Sequence, residues 1–386
     1  MKILSIETSC DETAIAVIET NLQINSGKLL PLTLLADVVS SQVNIHAAWG
    51  GVVPNLAARE HVKNIIPVID EALQKAKTRL AEIDLFATTQ GPGLIPALLI
   101  GTNVAKTLAY RYRKPLIGIH HVEGHIYANF IEIPQTSGNS IFPMLCLIVS
   151  GGHTQLIMIR NHHQYEIIGQ TLDDAAGEAF DKIAKILGLG YPGGPIVSQM
   201  AKIATEQKPM LPQEDQDLIK KISFPRPLLN KPTYNFSFSG LKTAVLYAYR
   251  DLTHSLTLPD SPYRSLPLDF WKHFICLEAE NAIVEVLTKK TLKAMETFSP
   301  RTVMMAGGVA ANNALRSSIQ SAINQYNNDH NNSINFINPP IQYCGDNGAM
   351  IAAAAAYRYA NLYQGQPDET LMNNWKNLEP NANLKL

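Results

Sequence analysis

Apolar and polar positions alternate in short blocks at the start of the chain. Lys2 to Ile6 reads as a short buried strand, Glu7-Thr8-Ser9-Cys10-Asp11-Glu12-Thr13 as polar turn formers, and Ala14 to Glu19 as a returning strand. This predicts a hairpin with a polar tip. The same order recurs at Met144 to Val149, Ser150-Gly151-Gly152-His153-Thr154 and Gln155 to Arg160, which predicts an internal structural repeat. After the first hairpin come a strand at Leu85 to Thr89, a helical run at Thr102 to Arg111 and a strand at Pro115 to Ile119. After the second come a helix at Asn281 to Phe298 and strands at Thr302 to Ala306 and Ile334 to Asn338. Strands and helices in turn predict two α/β lobes with mixed sheets. The stretch 172–271 is helix-compatible but broken by prolines, and reads as an insertion on the second lobe. Asn324 to Asn335 reads as a polar loop, and Asn361 to Leu386 as a polar tail without apolar period. The expected division is a first lobe at 1–139, a second at 140–345, a helix at 346–360 closing on the first, and a tail at 361–386.

Size supports this division, because 386 residues exceed what a single hydrophobic core usually serves. Apolar residues make up 46% and charged residues 17%, against about 25% charged in an average soluble protein, which excludes disorder as the main state. With 32 Lys plus Arg against 33 Asp plus Glu, no global positive field draws the chain to nucleic acid or anionic membrane. A nucleic-acid partner therefore has to be held by a local patch or with another protein's help. No apolar stretch approaches the roughly 20 residues of a membrane-spanning helix, and the run between Lys2 and Glu7 is too short for a signal peptide. Met1 is the expected mature N-terminus. Cys10, Cys146, Cys276 and Cys344 lie far apart, which favours neither a disulfide framework nor a zinc knuckle and makes a reducing cytoplasm the expected compartment.

Candidate chemistry concentrates in a few motifs. His121 and His125 stand at i and i+4, and a helix through Val122-Glu123-Gly124 puts both imidazoles on one side as a bidentate metal handle. The competing assignment is two histidines satisfying buried carbonyls. A helical glycine costs about 1 kcal/mol relative to alanine, so Gly124 points to a close approach by another element. Asp346, just before the alanine-rich helix Ala349 to Ala360, is the best-placed third ligand, although Asp there fits an N-cap equally well. The tips Ser150-Gly151-Gly152 and Ala306-Gly307-Gly308-Val309-Ala310-Ala311-Asn312 follow core strands, and paired glycines there allow backbone amides to face a phosphate. Tyr191-Pro192-Gly193-Gly194-Pro195 is a third such turn, equally readable as a helix-breaking loop. Asp174, Glu178 and Asp181 share one helical face, either a solvated stripe or a contact to a ribose diol.

These residues together resemble the TsaD family of tRNA N6-adenosine threonylcarbamoyltransferases. The resemblance rests on Ile6 to Thr13, His120 to His125, Val149 to Thr154, Asp174 to Lys182, Tyr191 to Pro195, Phe236 to Thr243, Gly307 to Asn312 and Asp346 to Met350, in order from Lys2 to about Tyr359. It implies an actin-like, Hsp70-like, sugar-kinase-like ATPase fold: two RNase-H-like lobes around a nucleotide cleft. It further implies that His121, His125 and Asp346 bind a divalent metal, Fe(2+) first and Zn(2+) second. Ile148, Val149, Ser150, Gly151, Gly152, Asp181, Gly194 and Asn312 would hold the substrate threonylcarbamoyl-adenylate, or ATP in its place, and Asp11 and Glu12 match acidic positions near the reaction centre. The implied partners are tRNA and the helper proteins TsaB and TsaE, with donor from a separate threonylcarbamoyl-adenylate synthase and no membrane. Asn55 and Ala58 depart from the family pattern, where Glu and Ser are common.

Two rival readings remain at this level. His121-x-x-x-His125 has the spacing of a zinc protease helix, but Glu123 lies about 200° round the helix from the metal face instead of directly after the first histidine. An ATP-driven chaperone or sugar kinase would share the fold but gives no reason for the histidine pair.

Overall fold

The alternating blocks at the chain start form β1 (Lys2–Glu7), β2 (Glu12–Thr20) and β3 (Leu32–Ser41) in a computed structural model that describes residues 1–21, 29–132 and 141–386. β1 pairs antiparallel with β2, with Ile3 opposite Ile18, and β3 adds antiparallel to β2. On the other side of β1, β4 (Leu85–Gly91) and β5 (Leu116–His120) add in parallel, giving the order β3-β2-β1-β4-β5. Parallel neighbours need crossovers. The short α1 (Val43–Ala47) and α2 (Pro54–Lys75) make the first of these, and α3 (Ile95–Tyr112) the second.

After α4 (His121–Ala128) the chain repeats this plan. β6 (Met144–Val149), β7 (Thr154–Asn161) and β8 (Gln164–Gln170) form the antiparallel half, while β9 (Thr302–Ala306) and β10 (Asn335–Ile337) add in parallel. The resulting order β10-β9-β6-β7-β8 is that of the first sheet, so the chain carries two RNase-H-like lobes, as expected of the actin-like fold. Between β8 and β9 lie α5 (Ala176–Leu187), α6 (Gly193–Gln207), α7 (Gln213–Ile219), α8 (Ser239–Thr257) and α9 (Leu268–Phe298). α10 (Asn313–His330) joins β9 to β10, and α11 (Gly348–Leu362) and α12 (Glu369–Asn377) follow. The expected lobe boundary between 139 and 140 lies outside the described residues.

The alanine-rich helix α11 explains how the sheets come together. Ala349 to Ala356 are fully buried in one apolar layer with Ile3 and Ile18 of the first sheet, Cys146 and Ile157 of the second, and Ile126 of α4. Small side chains let backbones approach, and the extreme case is Gly348, where a Cβ would fall 2.4 Å from the Ala16 nitrogen. We therefore expect Gly348→Ala to destabilise the protein by about 1–3 kcal/mol, measured by denaturant unfolding. A second apolar layer lies under α2 and α3, and a third joins the outer face of the second sheet to α5, α6, α8, α9 and α10.

Several elements differ from the sequence expectation. α9 begins at Leu268, well before Asn281. The Asn-rich stretch expected as a loop from Asn324 is helical up to His330, because Leu315, Ile319 and Ile323 anchor α10 along one buried face. The polar tail contains α12, whose Leu371 is buried and whose Trp375 packs against Tyr110 of α3 in a tilted pair, 4.5 Å between ring centroids. Among the described residues, no helix is long and apolar enough to cross a membrane.

Candidate functional site

β5 ends at His120 and α4 starts at the next residue, so His121 and His125 project from the first turns of a helix fixed to the edge of the first sheet. Gly124 lies between them, and a Cβ there would come within 2.8 Å of Ile351 on α11, the close approach anticipated from its cost. That contact brings the residues just before α11 to the histidines. Asp346 Oδ1 lies 3.5 Å from His121 Nε2 and 3.2 Å from His125 Nε2, and the potential ligand atoms of the three all fall within 4.8 Å of one another. The capping alternative for Asp346 is removed by its neighbour, because the Asn347 side chain accepts the Met350 amide at 2.8 Å and is the N-cap of α11.

The chemistry of this trio fits a divalent cation. His125 is 2% exposed, and among the described residues its Nε2 faces no polar group but Asp346, in a geometry that makes no proper hydrogen bond, an arrangement that costs roughly 1–3 kcal/mol unless a ligand takes up the lone pair. His121 Nδ1 faces Glu7 Oε2 at 3.2 Å and the Ser9 hydroxyl at 3.2 Å. A carboxylate on one ring nitrogen leaves the other, Nε2, directed at the metal position. Glu7 is itself fully buried and held by the Thr89 hydroxyl at 2.5 Å and the Ser9 amide. Burial opposes charge on His121, but Asp346 and Glu7 overrule it and hold its pKa up at about 9. Burial likewise opposes charge on Asp346, yet the facing histidines hold it well below the usual carboxylate range. His120 sits just ahead of them, and burial pushes it down to about 4.

His121 and Asp346 border a cleft of about 980 Å³ between the lobes. The β1–β2 tip contributes Asp11 and Glu12, and the matching β6–β7 tip contributes Ser150, Gly151 and Gly152. Burial together with Asp346 and Asp11 pushes Glu12 up to about 9. Ile148 and Val149 do not line the cleft; they are fully buried inside β6. Gly177 allows the start of α5 to press on the second tip, where a Cβ would lie 2.6 Å from the Ser150 oxygen. A Cβ on Gly151 would meet nothing within 4 Å. Gly151→Val should therefore keep the fold while occupying the space a phosphate would use, and we expect calorimetry to show nucleotide affinity reduced at least about tenfold.

The far wall is built from α5, α6, α9 and α10. Asp181 Oδ1 accepts the Gly193 amide at 2.7 Å, which ties the start of α6 and the cleft-lining Gly194 to α5; burial raises its pKa. Asn312 caps α10 by accepting the Leu315 amide, and its Nδ2 donates to Glu280 at 2.7 Å and Ser198 at 2.8 Å. Asp174 and Glu178 are bound by Lys182 at 2.6 and 2.7 Å, so of that acidic stripe only Asp181 borders the cleft. Sequence reasoning missed Glu7, Ser198 and Glu280. Glu7 belongs to the Ile6 to Thr13 motif, and its being the sole acidic residue of β1 is the signal that marks it.

Glu123 rules out the protease arrangement. Its Oε1 accepts His163 Nδ1 and the Tyr165 hydroxyl, each at 2.8 Å, so it is engaged by the second lobe and does not serve a metal-bound water.

The model of the family described as TsaD, tRNA N6-adenosine threonylcarbamoyltransferase, matches residues 33–353. A relative from Thermosipho africanus bearing that name is 42% identical over 359 residues, which cover 93% of this chain and 94% of the relative. A Persephonella marina relative with the same name is 45% identical over 93% of this chain and 90% of its own length. One from Bacillus subtilis, also so named, is 40% identical over 95% and 93% respectively. With a repeated RNase-H-like lobe, a glycine-lined interlobe cleft and a His-His-Asp cluster at its edge, this chain belongs to the TsaD family of tRNA N6-adenosine threonylcarbamoyltransferases.

Proposed function

We propose that this chain transfers a threonylcarbamoyl group from threonylcarbamoyl-adenylate to the N6 amine of the adenosine 3′ of the anticodon, in tRNAs that read codons beginning with A. The observation that carries this reading is the junction of a nucleotide-sized, glycine-lined cleft with the His121, His125 and Asp346 cluster, in a member of this family. The N6 lone pair attacks the carbamoyl carbon, an N–C bond forms, the C–O bond to the phosphate breaks, and AMP leaves with that electron pair while N6 loses a proton. An activated anhydride needs orientation more than activation. Ser150, Gly151 and Gly152 border the space for the phosphate, while Asp181, Gly194 and Asn312 border the space for the nucleoside. Asp11, on the opposite tip, would receive the N6 proton, while Glu12 borders the same space with its carboxyl held protonated near neutral pH by burial, Asp346 and Asp11. His121, His125 and Asp346 would hold a divalent cation, iron with zinc as the alternative, which would supply Lewis-acid chemistry to the donor at the edge of the cleft.

A net charge of −1 gives the chain little long-range attraction for a polyanion. This supports action with TsaB-type and TsaE-type partners in the cytoplasm, with donor made by a separate synthase. The test combines the chain, divalent metal, partners, adenylate donor and tRNA, followed by mass spectrometry of the digested nucleosides. Adenosine carrying the threonylcarbamoyl mass is expected. Unmodified tRNA under these conditions, with peptide cleavage that needs His121 and His125, would overturn the proposal.

A further inference from the structure

The ends of β4 and β5, on the side of the sheet that carries His121 and His125, are crossed by residues 378–384. β4 ends at Gly91, from which Pro92, Gly93 and Leu94 run on to border the cleft, and β5 ends at His120, from which α4 departs. The Asn381 amide donates to the Gln90 carbonyl at 2.8 Å, and Gln90 Nε2 donates to the Glu379 carbonyl at 3.0 Å. Lys106 Nζ of α3 holds the Leu378 carbonyl at 2.9 Å and the Glu379 carboxylate at 2.8 Å. The approach is so close that a Cβ on Gly91 would lie 1.8 Å from the Asn381 oxygen, and one on Gly118 would lie 2.6 Å from Leu378 Cδ1. Leu378 is buried, and Leu386 packs against the central apolar layer that contains α4 and α11.

His120 connects this segment to the metal helix. Its Nε2 lies 3.0 Å from the Leu384 carbonyl, and its Nδ1 lies 3.1 Å from the Val122 amide, making His120 the N-cap of α4. A backbone carbonyl can only accept and a backbone amide can only donate. Both bonds therefore demand the same neutral tautomer, with hydrogen on Nε2 and a lone pair on Nδ1. The ring is thus a rigid link between residue 384 and the first turn of a helix whose first residue is His121.

We infer that residues 379–386 and His120 are positioning elements for the metal site: the tail fixes the His120 ring, the ring fixes the start of α4, and the start of α4 sets His121 and His125 against Asp346. This rests on the reading of those three residues as metal ligands. It also gives a role to a segment whose composition suggested none.

The test uses cobalt(II) as the probe, following visible absorption during titration against a competing chelator. It compares the full chain, the chain lacking residues 379–386, His120→Asn at full length, and the two changes combined. Asparagine keeps an N-cap acceptor for the Val122 amide but is too short to reach Leu384 as well. The truncation and His120→Asn should each weaken cobalt binding about tenfold, in the range of outer-shell changes, and alter the intensity of the cobalt bands. Combined, they should be no worse than either alone. Unchanged cobalt affinity and spectrum in the truncated chain, even with a lowered melting temperature, would reduce the tail to a structural role and overturn the inference. Losses that simply add would show that the tail does not act through His120. If the truncated chain does not fold, His120→Asn decides, and wild-type affinity in that variant overturns the inference. Failure of the unaltered chain to bind cobalt any better than His125→Ala would overturn the metal reading itself, and this inference with it.

Discussion

His121→Ala and His125→Ala should each abolish divalent-cation binding and reduce threonylcarbamoyl transfer by on the order of 10²-fold or more, the scale of losing the geometry that orients a donor. Each change leaves one imidazole and one carboxylate of the three side chains that could hold a metal. The fold should survive, because His121 sits at the cleft edge of α4 and His125 one turn on beside Asp346, whereas Val122 and Ile126 supply the packing of α4 into the central layer. His125→Ala removes a buried Nδ1 without a partner together with the ring that faces Asp346, so its thermal stability in the absence of metal should stay close to that of the unaltered chain. Elemental analysis, tRNA nucleoside mass spectrometry and thermal melts without metal check the three parts. Full metal occupancy in a variant lacking both histidines would refute the site. Asp346→Asn should lose less metal than either histidine change, since an amide oxygen can still coordinate.

The histidine pair was legible because helical spacing alone sets i and i+4 side by side. Asp346 is ambiguous in sequence, because a carboxylate before a helix also caps it, and only the three-dimensional cap made by Asn347 removes the ambiguity. The repeated hairpins made both lobes readable, since period-2 alternation marks each strand locally. What stayed hidden was composition-masked or long-range. Leu315, Ile319 and Ile323 carry a clear helical period into an Asn-rich segment, and Leu371, Trp375 and Leu378 do so in the tail. In both places asparagine, a poor helix former, outweighed the period, and tertiary burial then overrode propensity. Glu280 reaches Asn312 and Ser198 from separate helices, a convergence that no local pattern encodes. Ile148 and Val149 illustrate the converse, since a motif that runs along a strand into its tip includes residues whose side chains only build the core.

Replacing Glu7 by Ala should weaken metal binding by about 10–100-fold, although Glu7 is not among the three ligands. Its two carboxylate oxygens serve the Thr89 hydroxyl, the Ser9 amide and His121 Nδ1, and they tie β4, the β1–β2 tip and α4 into one arrangement. Truncation leaves those buried donors unpaired and frees the His121 ring to rotate or to change tautomer, so that Nε2 no longer faces Asp346 reliably. Glu7→Gln separates the two contributions. The amide keeps one oxygen acceptor and nearly the same volume but removes the negative charge beside the imidazole. If the charge matters, the glutamine variant should remain stable to denaturant yet bind metal more weakly than the unaltered chain. If position alone matters, glutamine should recover most of the affinity lost in Glu7→Ala. Chelator-competition titrations of both variants, set beside their unfolding curves, discriminate these outcomes. Unaltered metal affinity in Glu7→Ala would show that His121 is oriented by α4 alone.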